Sequence, residues 1–367
     1  MLPPRPVKTI RGRLHELRPQ ETLMHIASAL RSGLIFLAVT AVYLVIPWIR
    51  AWFWGNLELQ RQAGPPNRGG RGGVVVIAAF RGEDAQVIPF IDYHSRLGVG
   101  EFVFLDMSQD GTLAALLAGR RNCAVWRPRD PMRLDRALLW LNYLRGQYGS
   151  GQWCLSLEPN ERFVFYRCET RDIRDLVEFL DSERRDHIYA LVLEMYGDVQ
   201  AQSIKLLPGE DPATKLIYFD AYGYSRSERG SYSNVIVRGG LQRRALYKSR
   251  PSHSPSLNRT PLAKWRWYFT YVAGRRLIMP PGRNMPHSPH HSNPTACLLR
   301  YALLDPEPVL ERAARIDAGE IVTDGRPSCY TGSPKLRTLA LKHDFSARYT
   351  QSSDLVDAGL MNPGQWF

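Results

Sequence analysis

The residues of this chain that could do chemistry sit in short polar breaks between apolar runs. The sharpest break is Glu158-Pro159-Asn160-Glu161, which ends the apolar run Trp153–Leu157 and precedes Phe163-Val164-Phe165. Four polar or turn residues at the carboxyl end of a buried strand are poor core material. In an open α/β sheet that edge is where a ligand crevice forms. Arg81-Gly82-Glu83-Asp84 follows the apolar run Val74–Ala79. It is neither a phosphate-binding Walker loop nor a dinucleotide fingerprint. Gly82 and Glu83 suit contact with a base or ribose, or Glu83 and Asp84 simply open a helix and complement its dipole. Asp106 and Asp110 flank a third break, Asp106-Met107-Ser108-Gln109-Asp110-Gly111-Thr112. They suit ribose hydroxyls or the amide groups of a uracil-type base, or else a capped turn with Asp110 as N-cap. His287, His290 and His291 could bind zinc, but no second cluster of Cys or Asp supports such a site. Lys264-Trp265-Arg266-Trp267-Tyr268-Phe269 could stack bases, lie at a membrane interface or join the core.

The charge pattern points to an anionic partner. The net charge is +13, and from Arg229 to Leu304 there is no acidic residue against thirteen basic ones. Such a one-sign run faces phosphates or a headgroup surface more often than it serves solubility alone. Five cysteines with no C-x-x-C pair argue against a disulfide framework and fit a reducing compartment. No helix-turn-helix, zinc-finger or aromatic sheet motif supports a nucleic-acid partner.

These breaks must be held by a regular scaffold. Residues 1–32 are basic and polar. Residues 33–54 read as a membrane-associated helix, uncharged from Gly33 to Ile49 with Trp48, Trp52 and Trp54 at one end. The uncharged part would span roughly 25 Å, slightly short of a ~30 Å hydrocarbon core. Single-pass and monotopic topologies both remain open, since arginines flank both ends. Residues 55–72 read as a linker, with Gln62-Ala63-Gly64-Pro65-Pro66-Asn67-Arg68-Gly69-Gly70-Arg71-Gly72 as the flexible part. From 73 onward, short apolar runs alternate with helical patterns as far as about Glu194. That alternation predicts an α/β fold with a mostly parallel sheet flanked by helices.

The ordered series adds a family. Arg81-Gly82-Glu83-Asp84, a helix ending Tyr93-His94-Ser95-Arg96-Leu97-Gly98-Val99, the strand Glu101–Asp106 and then Ser108-Gln109-Asp110-Gly111-Thr112 resemble the inverting family 2-type glycosyltransferases of bacteria. Trp153–Phe165, Thr170–Leu176, Glu194–Gly197, Tyr218–Asp220, Gly239-Gly240, Ser256–Arg259 and Asp354–Met361 continue the likeness over about 75–367. The resemblance implies a GT-A-like domain over 73–367. It implies transfer of a sugar, with inversion, from a nucleotide-sugar donor to a glycan or lipid-linked acceptor, in surface polysaccharide synthesis on the cytoplasmic face of a membrane. Gly82, Glu83, Asp106, Asp110, Arg283, His291 and Arg300 would then meet the donor, and Asp198 is the candidate base. Relatives carry a D-x-D turn that holds magnesium or manganese. This chain has Glu158, Asn160 and Glu161 there, so the resemblance implies a divalent cation held weakly or not at all. The alternative is a scaffold impaired in catalysis that serves as a membrane-associated binding partner.

Overall fold

The computed structural model describes residues 45–64, 73–82, 84–198, 207, 209–229, 234–245, 251–272, 277–279, 293–301 and 341–366. The fold is α/β, with helices on both faces of a nine-stranded mixed sheet. In chain order the sheet uses β1 (Leu59–Ala63), β2 (Val74–Phe80), β3 (Glu101–Asp106), β4 (Cys123–Pro128), β5 (Trp153–Leu157), β6 (Glu161–Val164), β7 (His187–Glu194), β11 (Asn258–Lys264) and β14 (Ala296–Arg300). Short strands β8 (Tyr218–Asp220), β9 (Ser225–Arg229), β10 (Asn234–Arg238), β12 (Thr270–Val272), β13 (Leu277–Met279) and β15 (Ser346–Arg348) form three two-stranded ribbons.

The sheet order is β1-β4-β3-β2-β5-β11-β7-β14-β6. Six strands run one way, and β1, β6 and β11 run against them. β2, Val-Val-Val-Ile-Ala-Ala-Phe, is buried at every position, as a central strand covered on both faces must be. Its side chains alternate between two cores. Val74, Val76, Ala78 and Phe80 join Phe90 and Ile91 of α2 (Asp84–Arg96) and Leu176 and Leu180 of α5 (Ile173–Ser182). Val75, Ile77 and Ala79 join Trp140, Leu141 and Leu144 of α4 (Ala137–Leu144). α5 starts where Asp172 accepts the backbone N–H of Arg174 at 2.7 Å and Asp175 accepts that of Asp172 at 3.3 Å. This reciprocal cap satisfies donors that a helix start leaves open.

Two expectations shift. The stretch expected to be linker holds the last turn of a helix, as far as Glu58, and then β1, which pairs antiparallel with β4, so the sheet begins before residue 73. The helix after β3 is only α3 (Leu113–Leu116), and Asp110 does not cap it; Thr112 occupies that place without a side-chain cap. Residues 33–44 of the expected membrane helix lie outside the described residues. Its later part belongs to α1 (Ile46–Glu58), and among the described residues no helix is long and apolar enough to cross a membrane.

α1 packs on α4 through a narrow contact. Ala51 and Gly55, four residues apart, form its buried face. The Glu58 carboxylate accepts bonds from the Arg136 guanidinium and from Trp140 Nε1, the latter at 2.9 Å. The Arg136 guanidinium also lies 3.3 Å from the centre of the Trp54 ring.

Candidate functional site

The parallel strands bring their carboxyl ends to one edge. β4-β3-β2-β5 are third, second, first and fourth along the chain among the parallel strands, so the winding reverses between β2 and β5. A crevice outside the carboxyl ends at such a reversal is where open α/β sheets bind ligands. Arg81 and Gly82 follow β2 there, and Glu158 follows β5. Asp106 ends β3 in register with Phe80, and Arg127 sits near the end of β4. β7 ends at Glu194 beside Arg300, and Arg300 pairs across with Glu161. β11 runs backwards and so opens on this same edge with Asn258 and Arg259.

The turn after β5 is closed by its own ends. Glu161 N–H donates to the Glu158 carbonyl at 2.9 Å, and Glu158 N–H donates to Glu161 Oε2 at 3.1 Å. Glu161 Oε1 accepts Arg300 Nε at 3.1 Å and Nη2 at 2.6 Å, and Arg259 Nη2 stands 3.6 Å away. Glu161 is 1% exposed. Burial works against a charged Arg300, but the Glu161, Glu158 and Glu194 carboxylates outweigh it and hold the guanidinium above its ordinary range. Tyr301 N–H donates to the Asn160 backbone carbonyl at 2.8 Å, whereas Asn160 Oδ1 is buried with no hydrogen-bond partner.

A narrow cleft of about 10 Å³, room for one water, lies against this turn, lined by Ser156, Glu158, Arg259, Thr260 and Tyr271 among others. Arg145 supports its wall from behind. Its Nε donates to Ser156 Oγ at 2.9 Å, its Nη1 donates to Asn142 Oδ1 at 3.2 Å, and the guanidinium lies 4.5 Å from the centre of the Tyr271 ring. Arg145 is 1% exposed, and burial lowers its pKa from the usual arginine value. No family model matches this chain, and no curated protein is significantly similar to it. The chemical reading therefore rests on this geometry and on the motifs in the sequence.

Asp106 belongs to the edge but not as an open carboxylate. Oδ1 accepts Ser108 N–H at 2.9 Å and Ser108 Oγ–H at 2.6 Å, and Oδ2 accepts Arg127 Nη1 at 3.1 Å. Arg127 also donates to the Gln109 carbonyl at 3.0 Å. Asp106 thus builds the 106–111 turn. Gly111 closes that turn at φ +71°, where a Cβ would lie 3.0 Å from Arg127 Nη1. Asp110 is exposed on the turn; desolvation raises its pKa, but hydrogen bonds from Ser108, Thr112 and its own backbone together outweigh that and lower it. Gly82 is exposed at φ +108° with open space beside its Cα. Asp198 is exposed and accepts Lys342 Nζ at 3.0 Å. That bond joins it to the C-terminal segment rather than to the Glu158 turn. Glu83, Arg283 and His291 lie outside the described residues.

Sequence reasoning missed three arginines. Arg259 carried two signals, its place in the acid-free interval and in the Ser256–Arg259 segment, but was given no role. Arg127 and Arg145 carried none, because each is a single basic residue inside an ordinary strand or helix pattern.

Proposed function

We propose that this chain is a glycosyltransferase of the GT-A type, moving a sugar from a nucleotide-sugar donor to a glycan or lipid-linked acceptor with inversion. One observation carries the reading: the Glu158 turn, the Asp106 turn and Gly82 share the carboxyl edge at the reversal between β2 and β5, with Arg259 and Arg300 beside them. The nucleotide would lie over Gly82 and the Asp106–Gly111 turn. The sugar and diphosphate would lie outside the cleft, over Glu158 and Arg259 at its mouth. In an inverting single displacement, the acceptor oxygen bonds to the anomeric carbon as the bond to the diphosphate oxygen breaks. The acceptor proton passes to a carboxylate. Asp198 remains the candidate base carried by the motif, and Glu158 is the carboxylate that lines the cleft.

The donor set at this turn fits a divalent cation poorly. Both Glu161 oxygens accept bonds, and two guanidiniums stand within 3.6 Å of Oε1. A dication placed beside them would be repelled. Asn160 offers only a neutral oxygen, so a cation here would meet at most the Glu158 carboxylate. We therefore assign the charge of the departing diphosphate to arginine, Arg259 first. A second reading keeps the scaffold without the reaction, and the replacement of a charged ligand by Asn160 favours it.

A thermal-shift panel of nucleotide-sugars on the full chain, followed by turnover of each binder, tests the proposal. The expected result is a stabilising donor whose turnover is abolished by Glu158→Ala. Binding without turnover in the unsubstituted chain supports the impaired scaffold. No binding by any donor overturns the transferase and favours the partner-binding scaffold.

A further inference from the structure

A helix on a globular surface normally turns its polar face to water. α1 does the reverse. Trp48, Ile49, Trp52, Phe53 and Leu57 are 40–55% exposed, while the face turned inward is made by Ala51 and Gly55. Trp267 extends the patch. It is 65% exposed and stands edge-on to Trp48 with ring centres 5.9 Å apart. Exposed apolar surface of this extent, held in one place by the Glu58–Arg136–Trp140 lock, marks a contact surface.

The geometry points to the headgroup–acyl boundary of a lipid bilayer as the occupant: we propose that α1 and Trp267 lie in that boundary and hold the domain on its side. Three features choose lipid over a protein partner. Tryptophan is the side chain enriched at that depth, and two of the chain's nine lie on the outer face of α1 with a third beside it. The only charged residue from Val45 to Leu57 is Arg50, and Arg266 beside Trp267 is also exposed, so the patch is bordered by positive charge suited to anionic headgroups. The chain enters α1 from the uncharged run that starts at Gly33, so the patch continues an apolar stretch of sequence.

The placement fixes an orientation. α1 starts near Trp267, beyond the amino end of β5, where Lys264 pairs with Trp153. It ends at Glu58, whose carbonyl accepts Arg129 N–H at 2.9 Å just past the carboxyl end of β4. The helix thus runs about 20 Å alongside the parallel strands. Laid in the membrane surface, it aligns those strands with the bilayer and opens the carboxyl edge sideways at headgroup level. An acceptor anchored in lipid could then reach the site without leaving the membrane; that last consequence alone rests on the glycosyltransferase reading.

The test uses the full chain with vesicles of phosphatidylcholine, alone and mixed with phosphatidylglycerol, with and without brominated acyl chains. Trp267→Phe keeps the fold and removes one reporter, and its position far from the N-terminal run isolates the patch from any anchor there. Bromolipid is expected to quench the unsubstituted chain, and Trp267→Phe is expected to lose part of that quenching. Trp52→Glu combined with Trp267→Glu is expected to lower partitioning into the mixed vesicles about tenfold, with donor thermal shifts unchanged. Equal fractional quenching with and without Trp267 overturns the proposal. So does a concentration-dependent dimer that the double variant abolishes, because the patch would then be covered by a second copy. Lost donor binding in an otherwise membrane-bound chain would instead count against the reaction and leave the surface standing.

Discussion

At the scale of single residues, the buried charges are committed to each other before any ligand arrives. Glu161, itself sealed from water, holds Arg300 by two bonds and stands close to Arg259. Truncating one partner leaves an unpaired buried charge, typically about 3–5 kcal/mol. Glu161→Ala is therefore expected to lower stability by that order in denaturant melts, whereas Glu158→Ala, half-buried at the cleft, is expected to change it little. Equal losses would show that the two carboxylates share one structural role. His94 is a second committed residue. Its Nδ1 faces the Phe90 carbonyl at 2.8 Å, and its Nε2 accepts Phe163 N–H at 3.3 Å, tying α2 to β6 just past Glu161. Burial, aided by the Arg162 charge and opposed by the Phe90 bond, lowers its pKa to about 3. The folded state thus resists protonation that the unfolded chain accepts below about 6.5. Its contribution is full above that pH and falls as pH drops toward 3, by at most about 1.4 kcal/mol per pH unit. His94→Gln is expected to flatten the stability profile over that window; an unchanged slope would assign the acid sensitivity elsewhere. The sequence marked His94 only as part of a motif, because a neutral acceptor for a backbone N–H is defined by a partner 69 positions away.

At the scale of elements, close packing decides what composition left open. Gly55 lets α1 press against Tyr143: a Cβ there would lie 2.1 Å from the ring Cγ. Gly55→Ala raises helix propensity by about 1 kcal/mol yet is expected to destabilise by about 1–3 kcal/mol, since overpacking outweighs propensity. A higher melting temperature would mean that α1 is not seated on α4. The alternating pattern from Val74 to Glu194 was legible because fully buried strands and amphipathic helices differ in period. β11 was not. Its sequence, Asn-Arg-Thr-Pro-Leu-Ala-Lys, carries Pro261 in the centre of a sheet, where a missing N–H normally argues against a strand. The structure accommodates it at a register shift between Arg259 and Leu262 against β7. That irregular strand delivers Arg259 to the edge.

At the scale of the whole molecule, two arginines of the acid-poor interval, Arg259 and Arg300, stand with the acid-bearing turn at one edge, and the reaction proposed there follows from arginine rather than metal. Turnover of an identified donor is expected to persist in excess chelator and to fall at least tenfold with Arg259→Gln. Loss on chelation with recovery on manganese would restore a cation to the Glu158 turn. The sequence by itself determined the α/β class, the strand that stops before Glu158 and the excess of positive charge, because these depend on local period, local turn chemistry and composition. Only the tertiary structure decided that Glu161 is spent on Arg300, that Asp106 builds a turn around Arg127, and that a row of tryptophans faces outward. Each of those outcomes depends on which distant side chain comes within a few ångströms, and the spacing of residues along a chain does not carry that information.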